Sequence, residues 1–149
     1  MSEFDLEAFI PYRLNRAAET VSLGFARVYR KRHGLTRPEW RVLALLGAYG
    51  SMTATEIARR STMHKTKVSR AVAALEERRW LRREEDEIDR RLEHLELTRA
   101  GAEIHRELTG LAEDYARAFA ERLGPEGLAA LERGLAAVEA AYPAAPAET

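Results

Sequence analysis

The residues best suited to chemistry lie between Ser61 and Arg79, STMHKTKVSRAVAALEERR. Set on a helix at about 100° per residue, Val68, Ala71, Val72 and Leu75 share one stripe, the side that docks on a core. Thr66, Ser69, Arg70 and Ala73 lie opposite, with Lys65 and Lys67 on the flanks. No acidic residue interrupts the stretch from Ile57 to Leu75. Such a face matches a DNA major groove. The hydroxyls of Thr66 and Ser69 reach phosphates or base edges, the Arg70 guanidinium forks onto guanine, and alanine leaves room for close approach. Seen alone, a basic face is more often an ordinary solvated helix surface, so the neighbouring segments have to decide.

Other chemistries find little support. The chain has 149 residues and no cysteine, which removes disulfides, thiolate metal sites and thiol redox sensing. His33, His64, His94 and His105 include no i, i+4 pair, so neither a metal site nor any cofactor is expected. No nucleophile elbow or phosphate loop appears, and the reading is of a protein that is not an enzyme. Twenty-four basic residues balance twenty-four acidic ones, so any affinity for nucleic acid must come from segregated charge. No apolar run is long enough to span a membrane, and the opening MSEFDLEAF is acidic, unlike a signal peptide. A soluble, cytoplasmic protein is expected.

The elements that must position the basic helix are punctuated clearly. Leu14, Ala18, Val21, Phe25 and Val28 mark a first helix over Asn15–Lys31, after Pro11 and an acidic arm, with Gly34 as its left-handed stop. In LTRPEW, Thr36 and Glu39 have capping-box spacing and Leu35 and Trp40 that of a hydrophobic staple. A second helix therefore runs from about Thr36 to Tyr49-Gly50. The same device recurs in MTATEI, where Thr53–Glu56 and Met52–Ile57 start a short helix reaching Arg60. Two helices joined by a brief turn, the second outwardly basic, form a helix-turn-helix.

Beyond Arg79 the period changes to two. Leu95 and Leu97 alternate with His94 and Glu96 as on a half-buried strand, Trp80 and Leu81 begin its partner, and Glu84–Arg91 forms the tip of a hairpin. A charged hairpin after a helix-turn-helix is a wing. Thr98 caps a fifth helix with Ile104, Leu108, Leu111, Tyr115 and Ala118 on one stripe, ending at Gly124-Pro125. A sixth carries Leu128, Leu131, Leu135 and Val138, stops near Tyr142-Pro143, and leaves a frayed tail.

At this point the chain resembles the multiple antibiotic resistance regulator (MarR) family of winged-helix transcription factors. IDRRLEHLELTRAG is similar to that family's wing-and-exit signature, here Asp89, Arg90, Arg91, Leu97, Thr98 and Gly101. Lys65–Arg70 and the helix-two opening with Trp40, Arg41 and Leu43 are similar too. Arg79 departs from the pattern, standing where many relatives have a glycine; a positive φ there carries modest strain. The resemblance implies a homodimer entwined through its first, fifth and sixth helices, and an Arg90 or Arg91 that reaches into the minor groove beside an orienting Asp89. It also implies a cleft for a small aromatic or phenolic effector.

The expectation is a mostly α fold with a small β-hairpin wing, one domain over 1–149. Dimerisation helices occupy 10–34 and 98–142, and the winged helix-turn-helix lobe occupies 36–97. Its partners are a second copy, a small-molecule effector and double-stranded DNA with a pseudo-palindromic operator. The DNA set is Lys65, Thr66, Lys67, Ser69, Arg70, Asp89, Arg90 and Arg91. Arg16 and Trp40 are candidates for the effector, Arg16 through a bidentate fork, against the plainer roles of ion pair and core. The competing function is a winged-helix module for protein or RNA; the deep, narrow major groove of duplex RNA favours DNA.

Overall fold

The computed structural model describes residues 3–143, and the chain divides into two compact units, Met1–Arg37 and Pro38–Thr149. In the first, the Asp5 carboxylate accepts the Glu7 N–H at 3.0 Å and opens a 3-10 turn, Leu6–Ala8. Helix α1, Ile10–His33, follows and stops on Gly34 at φ 64°. It begins five residues earlier than expected. Pro11 sits inside the first turn rather than before it, where its missing N–H has no partner to lose. Phe25, Ala26 and Tyr29 are buried, while Leu14 is 43% exposed.

The second unit carries α2, Arg37–Tyr49, which ends at Gly50 with φ 80°. Thr53 Oγ1 accepts the Glu56 N–H at 3.2 Å and caps α3, Ala54–Ser61. Helix α4, Lys65–Glu77, leads to an antiparallel hairpin, β1 Leu81–Glu85 and β2 Glu93–Leu97. Its register pairs Leu81 with Leu97, Arg83 with Leu95 and Glu85 with Glu93. Met52 and Leu95 exchange backbone bonds of 3.0 and 2.8 Å, so the segment before α3 is stitched to β2. Leu43, Ile57, Leu75, Leu81, Leu95 and Leu108, one from each element of this unit, are at most 2% exposed.

Helix α5 spans Arg99–Ala141 and is capped by Thr98 Oγ1, which accepts the Gly101 N–H at 3.1 Å. Gly124 takes φ 75° and ψ 166°, outside helical space, with Pro125 after it. The expected fifth and sixth helices are thus present as the two arms of α5, meeting at the expected Gly124-Pro125 break. On the second arm Leu131, Leu135 and Val138 remain 38–44% exposed. The tail expected beyond Pro143 lies outside the described residues. The architecture is a mostly helical winged helix-turn-helix.

Candidate nucleic-acid interface

Helix α4 starts later than its composition implies. Thr62 turns left-handed at φ 56°, His64 is extended, and its ring Nδ1 accepts the Thr66 N–H at 3.2 Å. The helix therefore opens at Lys65 and closes at Glu77, so 61–79 is not helical throughout. Its apolar stripe is the expected one, with Val68, Ala71, Val72 and Leu75 each at most 3% exposed. Lys65, Thr66, Lys67, Ser69 and Arg70 are all exposed. Lys65, Lys67 and Arg70 make no ion pair among the described residues, leaving three unneutralised cations on a face that meets no acid before Glu76.

The exit from α4 fixes the wing. The Trp80 N–H donates to Leu75 O at 3.0 Å and the Arg79 N–H to Glu76 O at 2.9 Å. These are the paired bonds of a helix end whose next residue turns left-handed. Arg79 is that residue, at φ 63°. A side chain in this conformation costs on the order of 1–2 kcal/mol, and the surroundings hold it there. Thr98 Oγ1 donates to Arg79 O at 2.6 Å, and the Thr98 N–H to Trp80 O at 3.0 Å. Gly101 lies against that Trp80 carbonyl so closely that a Cβ would sit 1.9 Å from its oxygen.

Arg83 on β1 ties the wing to α4. Its Nε donates to Glu76 of α4 at 3.1 Å and its Nη1 to Glu93 of β2 at 3.0 Å. The Glu93 bond chiefly, with Glu76 behind it, holds its pKa above the ordinary guanidinium value. Arg82 pairs across the hairpin with Glu96. Glu84 and Glu85, expected at the tip, belong to β1, where they face His94 and Glu93. A strand edge accepts such charges because their side chains reach water.

The tip itself is built by carboxylates. Asp86 Oδ1 accepts the N–H groups of Ile88 and Asp89, each at 2.9 Å, and Asp86 Oδ2 meets His94 Nε2 at 2.7 Å. The Asp89 N–H, then His94, then the Ile88 N–H pull the Asp86 pKa down to about 2. Asp89 in turn accepts from Arg91 three times, from its backbone N–H at 3.1 Å and from its guanidinium at 3.1 and 3.2 Å. Its carboxyl is lowered by Arg91 accordingly. Arg90 is exposed and makes no ion pair among the described residues, and Ile88 is 96% exposed. Arg83 was missed in the sequence because its partners come from α4 and β2, and Asp86 because the tip reads only as a run of charge, with no Asn-Gly to mark its turn.

Residues 33–92 match the model of the MarR family. Over this stretch the chain is similar to the winged helices of the MarR family. The solved transcriptional regulator PA4135 is similar along nearly its whole length, with 27% identity, 91% of this chain and 98% of that one covered, and a TM-score of 0.80. A MarR family transcriptional regulator from Silicibacter pomeroyi is 26% identical over 89% of each chain, with a TM-score of 0.74. NadR, solved with 4-hydroxyphenylacetate, is 24% identical over 93% of this chain and 97% of its own, with a TM-score of 0.75, and shares the fold. No curated protein sequence matches significantly.

The second unit also has a cleft of about 580 Å³. It opens among Gly47 in α2, Ser51 after it, Glu96 on β2, and His105, Arg106 and Gly110 on α5. A Cβ on Gly47 would lie 2.1 Å from the His105 ring, so a larger residue there displaces the imidazole. Burial lowers the His105 pKa. Neither expected effector residue lines this cleft. Trp40 is half-buried in α2, and Arg16 donates to Glu7 at 2.8 Å on the surface, the plainer of its two roles.

Proposed function

We propose that the chain is a sequence-specific, double-stranded DNA-binding transcriptional regulator, a homodimeric repressor released by a small aromatic or phenolic effector. The observation that carries the reading is the outward face of α4's first turns, free of acids as far as Leu75, on which Lys65, Lys67 and Arg70 are exposed and make no ion pair among the described residues. A helix of this kind reads the major groove while a wing reaches the adjacent minor groove. Arg90, unpaired at a stiff tip, is the minor-groove probe, and Asp89 holds Arg91 to the turn. Dimerisation accounts for the open apolar rows on α1 and on the second arm of α5. Two-fold symmetry then places half-sites about 10–10.5 base pairs apart. The effector class follows the fold neighbour NadR and its phenolic ligand.

The test is a titration of variants against a duplex selected by the wild-type protein and a scrambled duplex, at several salt concentrations. Lys67→Ala weakens both duplexes alike and lowers the salt slope by about one unit. Arg70→Ala loses about 1–3 kcal/mol preferentially on the selected duplex. Equal losses on both duplexes for Arg70→Ala make it a phosphate anchor and overturn its role in readout.

A further inference from the structure

Ile88 touches almost nothing in the folded chain. At 96% exposure it is the most open large apolar side chain among the described residues, and it sits on the wing tip rather than on a helix seam. A side chain as open as this contributes no burial to folding. Its backbone, by contrast, is fixed. Asp86 Oδ1 holds the Ile88 N–H, the Asp86 N–H closes the turn on Leu92 O at 3.0 Å, and the Leu92 N–H donates to Asp89 O at 2.9 Å. Leu92, on the other side of Arg90, is 44% exposed. The tip thus presents a free guanidinium flanked in sequence by two apolar side chains, on a turn locked by two carboxylates. Ile88 is β-branched and stiff at χ1, so ordering it costs little on contact.

From this we infer that Ile88 is an affinity-determining residue of the DNA complex, packing against the deoxyribose walls of the minor groove beside the inserted Arg90. The inference rests on the DNA-binding reading above. A narrow groove is the kind that draws an arginine in, and narrowing brings the apolar sugar edges of both strands toward the tip. Insertion between base pairs is the other known use of isoleucine in this groove, but it unstacks and kinks the duplex, which is incompatible with a narrow groove around Arg90. Sugar contact is sequence-tolerant, and because it neutralises no phosphate it is insensitive to salt.

The experiment uses full-length protein and a duplex of about 40 base pairs recovered from a random pool by the wild type, with binding read by anisotropy at several salt concentrations. Ile88→Ser loses about three- to tenfold in affinity, the effect of half-burying one such side chain, with an unchanged salt slope. Ile88→Val recovers most of the loss, and Arg90→Ala lowers the slope by about one unit. A 2-aminopurine placed at the contacted step stays quenched, as a stacked base does. Ile88→Ser binding like the wild type overturns the inference alone, as does a loss that vanishes at high salt. Bright 2-aminopurine replaces wall contact with a wedge and overturns it too. A wild-type protein that enriches no duplex overturns the DNA-binding reading beneath it.

Discussion

Gly101→Ala tests whether the wing is seated by the helix that follows it. A Cβ at this position meets the Trp80 carbonyl oxygen at 1.9 Å and its carbon at 2.8 Å. Both atoms are backbone, so no rotamer relieves the overlap. Restoring ordinary contact moves α5 and the wing entry apart by about 1.5 Å. Trp80 O accepts the Thr98 N–H, Thr98 Oγ1 donates to Arg79 O, and the Gly101 N–H reaches Thr98 Oγ1. A shift that large takes two of these three bonds out of range. At about 1 kcal/mol for each bond, with overpacking of similar size and a helix-propensity gain of about 1 kcal/mol, the net loss is about 2 kcal/mol. For a chain of this size that lowers Tm by roughly 5–10 °C. Circular dichroism melts measure it, and anisotropy well below the melt shows weaker binding to the selected duplex because the wing has moved. Wild-type melting and affinity would refute the argument, since no soft atom is available to absorb the clash.

Gly110→Ala should do the opposite. Nothing lies within 4 Å of its Cβ, so the variant gains about 0.5–1 kcal/mol in urea denaturation; a loss would mean that the added methyl meets a neighbour across the cleft. Asp86 sets an acid limit on the wing. Its folded pKa, about 2, lies below the unfolded value of 3.8, so its contribution is complete above about pH 4 and fades as the pH falls toward 2. Amide protection at Ile88 and Asp89, taken relative to the intrinsic rate at each pH, should fall across that window, and Asp86→Asn should show lower protection at neutral pH; flat protection in both contradicts the carboxylate-built turn. Leu135→Glu places a charge on the open row of α5's second arm and should turn a dimer into a folded monomer in sedimentation, whereas an unchanged dimer would move the interface elsewhere.

What could be read without coordinates was whatever is written locally. Thr53 and Thr98 cap the helices their spacing announced, Gly34 and Gly124 take the positive φ that ends or breaks a helix, and the buried stripe of α4 is the expected one. Arg79 adopts the left-handed conformation that its glycine-bearing relatives implied. The residues that escaped notice either use an uncommon local acceptor or act across chain separations. Histidine is an uncommon cap, so His64 hid the true start of α4. The hairpin has no Asn-Gly because Asp86 supplies, from its side chain, the acceptor such a turn would otherwise do without. Glu84 and Glu85 looked like loop because charge pattern alone does not reveal a partner strand. Gly101 was recognisable as part of a motif, but its reason, the carbonyl of Trp80, lies 21 residues upstream.

The two bonds of Arg83 bear on how affinity is assembled. With α4 and the hairpin clasped together, engagement of one groove delivers the other contact already at short range, so the second event is intramolecular and its ordering entropy is largely met in advance. Free energies measured for the helix and the tip are then not separable quantities. Arg70→Ala and Arg90→Ala combined should fall short of the sum of their single effects, and cutting the clasp with Arg83→Met should bring them back toward additivity. On this view the guanidinium touches no nucleic acid, yet it sets the local concentration at which the wing meets its groove.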